Sequence, residues 1–240
     1  MFDNRTYRSR SRKEGLVPFT VTVKETNLHI QARQDLSDKA VKAVLECRNL
    51  LESYIFRCPG FAAAMNPVQP VFPTPKIAAE MIQAAARAKV GPMAAVAGAV
   101  SEFTGRALLN HSTEVIVENG GDIFMKLDKE AVFAIFAGNS PLSMKTGVRI
   151  ARRDTPYALC TSSGTLGHSA SFGRADAATV VADSCALADA AATALGNMVQ
   201  NRSDIETAIE TGRKIEGIQG IIIIKGKEIG LWGDLELVKL

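Results

Sequence analysis

The sequence predicts an α+β fold, with a mixed or antiparallel sheet packed against alanine-rich helices. Three observations carry that expectation. Short runs of alternating polarity sit next to tight turns, as hairpin strands do. Helical stretches dense in alanine and glycine lie among them. Strand runs mixed with helix runs and joined by hairpins are the α+β pattern. With 240 residues, 47% of them hydrophobic and 22% charged, the chain can bury a substantial core. No internal repeat, low-complexity tract or linker divides it. It reads as a single domain over 1–240, with a basic segment at 1–18 and a proline-rich crossing at 59–75.

The elements follow in order. Phe19, Val21 and Val23 alternate with polar residues, and Leu28, Ile30 and Ala32 do so after a short turn, which predicts a hairpin. His29 falls on the polar face of its second strand, where a surface imidazole is expected. Ser37 or Asp35 can cap a helix running to Arg57, with Ala40, Val41, Val44, Leu45, Leu51 and Ile55 as its packing stripe. Five prolines in the seventeen residues of 59–75 then predict a long irregular crossing, and such loops are uncommon unless they have work to do, such as covering a site. Thr74-Pro75 opens a helix to Ala88. Gly91-Pro92 starts another over 93–109, whose small residues suit close packing on a sheet or a ligand. Short strands follow over 114–118, 122–127, 132–137, 148–151, 157–160 and 178–182. The alanine-rich helix around 186–195, a polar helix over 203–215, a hairpin over 220–232 and a last strand over 235–240 complete the chain.

Composition excludes some function classes. A net charge of +3 does not argue for a nucleic-acid or membrane partner. Arg5, Arg8, Arg10, Arg12 and Lys13 concentrate part of the basic excess, as a solvated tail, a first strand or a binding arm. No apolar run follows them as in a secretory signal, and none approaches membrane-spanning length, so a cytoplasmic location is expected. Cys47, Cys58, Cys160 and Cys185 lack the close pairing of zinc or iron–sulfur sites and fit reduced, mostly buried thiols.

The alanine-rich helix carries the strongest chemical signal. Its run Ala-Leu-Ala-Asp-Ala-Ala-Ala-Thr-Ala-Leu holds one carboxylate, Asp189, and one hydroxyl, Thr193. A helix apolar on every side is normally buried, and a buried carboxylate must be paired or bind a metal. Residues four apart share a face, so the two form an oxygen-only foothold of the kind magnesium takes. The plainer alternative is a carboxylate bonded to nearby backbone, with Thr193 bonded to the carbonyl one turn back.

Two loops add to it. Asn119-Gly120-Gly121-Asp122 reads first as a tight hairpin turn, and equally as exposed amides beside a carboxylate, suited to a ribose or phosphate. After the strand at 157–160 comes Thr-Ser-Ser-Gly-Thr-Leu-Gly-His-Ser-Ala-Ser. It is a polar surface loop, or a phosphate cradle in which Ser162, Ser163 and Gly164 make the contacts. His168 within it can move a proton, donate to a phosphate or flavin oxygen, or be purely structural.

In this order the segments resemble the ApbE-like superfamily, best known for FAD:protein FMN transferases. Residues 95–102 look like the family's small-residue helix with its Lys-Gly pair, and residues 117–122 like its strand ending in Gly-Gly-Asp. Residues 161–164 resemble its Ser-Thr-Ser-Gly segment, and 178–195 its strand plus Ala-Asp-Ala-x-x-Thr-Ala helix. The whole chain looks closer still to a compact branch found in archaea and bacteria. The resemblance implies Mg2+ held by Asp189, Thr193 and a backbone carbonyl at Val96 or Ala97. That ion would hold the pyrophosphate of FAD or a related nucleotide, with FMN moved to a threonine hydroxyl of an acceptor protein. Two departures accompany it. Ala97 stands where the family has lysine, and His168-Ser169-Ala170-Ser171-Phe172 stands where it has His-Ile-Ile-Asp-Pro.

Two functions follow as expectations. One is a flavin- or nucleotide-binding, Mg2+-dependent protein with transferase-type chemistry. The other is a non-catalytic binding or assembly protein, in which Asp189 is structural and the basic segment and closing hairpin serve homo-oligomer formation.

Overall fold

The computed structural model describes residues 13–164 and 173–240. His168 and the arginines at 5, 8, 10 and 12 lie outside them. The chain runs β1 (Val17–Val23), β2 (Thr26–Ala32), α1 (Ser37–Arg57), α2 (Pro59–Ala63) and α3 (Lys76–Ala88). A 3-10 turn at Pro92–Ala95 leads into α4 (Val96–Leu108). Strands β3 (Val115–Asn119), β4 (Asp122–Lys126), β5 (Ala131–Ala134), β6 (Thr146–Ile150), β7 (Tyr157–Ser162) and β8 (Ala177–Ala182) follow. Then come α5 (Cys185–Met198), α6 (Asp204–Gly212), β9 (Ile218–Lys225), β10 (Glu228–Gly233) and β11 (Glu236–Lys239).

Eight strands form one sheet in the order β1-β2-β3-β4-β7-β8-β9-β10, with every neighbouring pair antiparallel. A small sheet, β11-β6-β5, is also antiparallel. The period-two alternation of strands divides the large sheet between two cores. Val117, Phe124, Ala158, Cys160, Val180, Ile221 and Ile223 face the helices. Ile116, Met125, Leu159, Val181, Ile222 and Ile224 face the small sheet through Phe133, Val148 and Ile150. The result is three layers: helices, central sheet, small sheet.

Alanine-rich α4 and α5 lie against the centre of the large sheet because their small side chains permit it. A Cβ on Gly105 would meet the Phe124 ring at 2.1 Å, and one on Gly98 would meet the Cys185 carbonyl oxygen at 2.2 Å. The predicted elements recur with small differences of extent. On α1 the buried stripe is Ala40, Ala43, Val44, Cys47, Leu51 and Tyr54, while Val41 and Leu45 are exposed. Val41 and Leu45 stand one position past Ala40 and Val44, about 100° further round the helix, and so turn out of the core, while Tyr54 closes the buried stripe with its ring edge-on to Phe61 at 5.2 Å between centroids and its hydroxyl accepting from Val71 N. His29 is half-buried rather than a surface imidazole, because β2 is an interior strand paired on both sides. The proline-rich crossing begins as α2 and packs over the Gly91 turn, where a Cβ would lie 1.8 Å from the Ala64 carbonyl oxygen. Among the described residues, no helix is long and apolar enough to cross a membrane.

Candidate functional site

The site forms where α4, α5, β3, β4 and β7 meet. Asn119 and Asp122 are register partners flanking the β3–β4 turn. That turn is Gly120-Gly121, with φ of 69° and 110°, so the tight-hairpin reading of the paired glycines holds. Such φ values are routine for glycine and uncommon in other residues. Asp122 is also paired in register with Cys160 of β7, which brings its carboxyl beneath α5.

Asp189 arrives from α5. Its Oδ2 accepts from the Gly98 amide at 2.8 Å, and the Ala97 amide also favours its ionised form. The carboxylate thus caps α4, whose first turn holds no acidic residue of its own. Asn119 Nδ2 donates to the Ala97 carbonyl at 3.2 Å, tying the β3–β4 turn to the same helix start. Thr193 lies one turn further along α5 and is half-buried. Gly196, on the same face, lies toward Ser162, where an added Cβ would stand 3.8 Å from its Oγ. The face Asp189–Thr193–Gly196 therefore runs from the carboxyl pair to the end of β7.

Not every predicted contact is equally available. The Gly164 amide is taken by Ala175 O at 2.9 Å, and the Gly121 amide by Glu118 Oε1 at 2.9 Å. Ser162 and Ser163 are half-buried at the end of β7. Glu102 is the residue that sequence reasoning missed. It is buried on α4 and accepts from the Cys185 amide at 2.7 Å. Its sequence signal is a glutamate directly after the small and apolar residues of 96–101.

Electrostatically the pair is unbalanced. Burial pushes the Asp189 carboxyl up to about 7. Burial, and then the charge of Asp189, raise Asp122 well above the carboxylate range. Burial also holds both neighbouring thiols as neutral S–H groups, Cys185 being pushed up to about 11 and Cys160 raised with it. Their sulfurs lie 3.4 Å apart. Among the described residues, burial and neighbouring acids, not a lysine or arginine, dominate the charge state of the carboxyl pair. The two buried carboxyls, with the Thr193 hydroxyl one turn further along α5, are oxygen donors of the kind a hard divalent cation takes, and the Cys160 thiol stands against Asp122. Among the described residues, no three His, Cys, Asp or Glu side chains converge on one metal position, so backbone, hydroxyl and substrate oxygens would have to complete the coordination.

A pH dependence follows from the buried pair. Unfolded, Asp189 titrates near 3.8 and folded near 7, so the native state holds the extra proton between those values. Stability is therefore greatest below about pH 4 for this group and is lost as pH rises through 7. Asp122 acts in the same direction. Stability from urea unfolding is expected to fall by roughly 2 kcal/mol from pH 5 to 8. The lowered carboxyls of exposed Glu25 and Asp35 and of half-buried Glu52 and Asp204 act below that window. A rise in stability over the window would refute the assignment.

Comparison with known proteins places this architecture. Residues 8–231 match the family model described as AbpE bacteria. The UPF0280 protein of Methanocaldococcus jannaschii is 39% identical over 226 residues, covering 91% of this chain and 92% of the relative. That of Methanosarcina acetivorans is 38% identical, covering 89% and 85%. Among solved structures, the ApbE protein of Thermotoga maritima superposes with a TM-score of 0.57 at 12% identity, over 90% of this chain and 96% of that one. The flavinyl transferase ApbE of Pseudomonas stutzeri gives 0.56 at 14%, over 90% and 94%. Those two share the fold and little sequence, whereas the family model and the archaeal relatives follow this chain almost from end to end: it belongs to the ApbE-like superfamily, alongside the UPF0280 proteins.

Proposed function

We propose that this chain binds FAD or a related flavin or nucleotide through Mg2+ and supports transferase-type chemistry at its pyrophosphate. The observation that carries the reading is the buried Asp189 carboxylate seated on the Gly98 amide at the start of α4, beside the buried Asp122 carboxyl. Asp189, Thr193 and the Ala97 carbonyl would hold the ion. When bound, Mg2+ supplies charge neutralisation and orientation of phosphate oxygens. Asn119, Gly120, Gly121 and Asp122 stand beside it as ribose or phosphate contacts, with Ser162, Ser163 and Gly164 at the far end of the α5 face. His168 is the proposed proton carrier, and an acceptor protein offering a hydroxyl would complete a transfer.

One observation favours a second reading, a non-catalytic binding or assembly protein. The Asp189 carboxylate already has a backbone partner in Gly98, as a structural cap would. Calorimetric titration with FAD, FMN and ADP, with and without Mg2+, separates the two. The first reading expects Mg2+-dependent binding. No binding of any of the three, or binding indifferent to Mg2+, leaves the second.

A further inference from the structure

We propose that Glu102 is the positioning residue of this site: it seats α5 so that Asp189 reaches the start of α4, and so sets the affinity for the metal–nucleotide pair. The part concerning affinity rests on the function proposed above.

The geometry is a crossed pair of caps. Neither α4 nor α5 has an acidic residue in its first turn, so neither complements its own dipole. The N-cap of α4 makes no side-chain hydrogen bond. That of α5, Ser184, accepts from Leu187 N only at 3.4 Å. Each helix instead receives a carboxylate from the other. Asp189, four residues into α5, accepts from Gly98 at 2.8 Å. Glu102, four residues past Gly98 on α4, accepts from Cys185 N at 2.7 Å and from Ser184 Oγ at 3.4 Å. The other oxygen of Glu102 is gripped by Arg106, whose Nη2 and Nε donate at 2.6 and 2.9 Å. Arg106 is itself half-exposed, over the Phe124 ring at 6.0 Å.

Because Cys185 and Asp189 are successive positions on one face of α5, the seat of the first fixes that of the second. Gly98 makes the contact close enough to transmit any shift, since its missing Cβ would fall within 2.8 Å of both the Cys185 carbonyl and Asp189 Cβ. Glu102 is 3% exposed and lies on the far side of this contact from Ala97 and Asn119. Its bond to Cys185, one turn from Asp189, is its link to the site through α5.

Two readouts on the intact chain test this. Amide hydrogen exchange at Gly98 reports whether Asp189 still sits on the opposite helix. Glu102→Ala is expected to speed exchange at Gly98 about tenfold, as loss of a cap does. It should also weaken Mg2+-dependent FAD binding about tenfold, as loss of a group that orients a ligand does. Glu102→Gln keeps an acceptor oxygen and is expected to restore most of both. Should the alanine variant fail to fold, Glu102→Asp, one methylene too short for Cys185, carries the same test. Unchanged Gly98 exchange in a folded Ala or Asp variant overturns the positioning role, whatever the nucleotides do. Faster exchange in a protein whose parent binds no nucleotide supports the coupling of the two helices and overturns the claim on affinity along with the proposed function. Faster exchange with unaltered FAD affinity overturns the claim on affinity alone.

Discussion

Gly98→Ala is expected to cost several kcal/mol of stability. The added methyl would stand 2.2 Å from the Cys185 carbonyl oxygen and 2.8 Å from Asp189 Cβ. Neither neighbour is the free end of a flexible side chain, so α4 and α5 must part. Overpacking of this kind costs about 1–3 kcal/mol. Parting the helices also loosens the Gly98–Asp189 and Cys185–Glu102 contacts, each joining a buried carboxylate to a backbone amide, and such loss adds about 1–3 kcal/mol. The gain in helix propensity from glycine to alanine, about 1 kcal/mol, is outweighed. Urea unfolding of the two proteins at one pH checks it. A variant as stable as its parent would show that the helices separate freely.

Asp189→Asn is expected to move stability and binding in opposite directions. The amide keeps an acceptor for Gly98 while removing a charge that burial disfavours and that raises Asp122. At pH 8 the variant should be more stable than the parent by roughly 1–3 kcal/mol, and its fall in stability between pH 5 and 8 should shrink, the burial of Asp122 leaving the remainder. The same change removes the charged ligand, so Mg2+-dependent nucleotide binding should weaken at least about tenfold. Thermal unfolding at pH 5 and 8, paired with calorimetry, reads both. A variant less stable at pH 8, with binding unaltered, identifies Asp189 as a structural cap and nothing more.

Much of the architecture was legible because its signals are local. The alternation in 19–23 and 28–32 marks a hairpin, and glycine–glycine between two apolar strands marks a two-residue turn. Asp189 and Thr193 were legible as chemistry because an apolar helix cannot hold a carboxylate without a partner. The missed features are those set by which edge of a helix faces the core and by contacts between residues far apart in the chain. Val41 and Leu45 fit the α1 stripe by spacing, yet Tyr54 and Cys47 hold the buried face. Likewise Glu102 lies 83 positions from the amide it accepts, and no periodicity joins it to Cys185. Cys160 and Cys185 lie in separate elements, and only the sheet and α5 together bring their sulfurs into contact.

The strand order bears on how the chain acquires its shape during synthesis. In the large sheet almost every strand pairs with the one made just before it, the exception being the β4–β7 junction, where residues 131–150 are set aside. The sheet can thus be extended one edge at a time as the polypeptide leaves the ribosome. Strands β5 and β6 cannot complete their layer until β11, some ninety residues downstream, pairs with β6. Until then the Ile116, Met125 and Leu159 side of the sheet lacks part of its cover, with Phe133 and Val148 held only by a hairpin. Long-range closure of this kind is slow, and exposed apolar surface favours aggregation in the interval. Truncation before residue 236 should therefore yield nascent chains that form the first strands and still depend on chaperones.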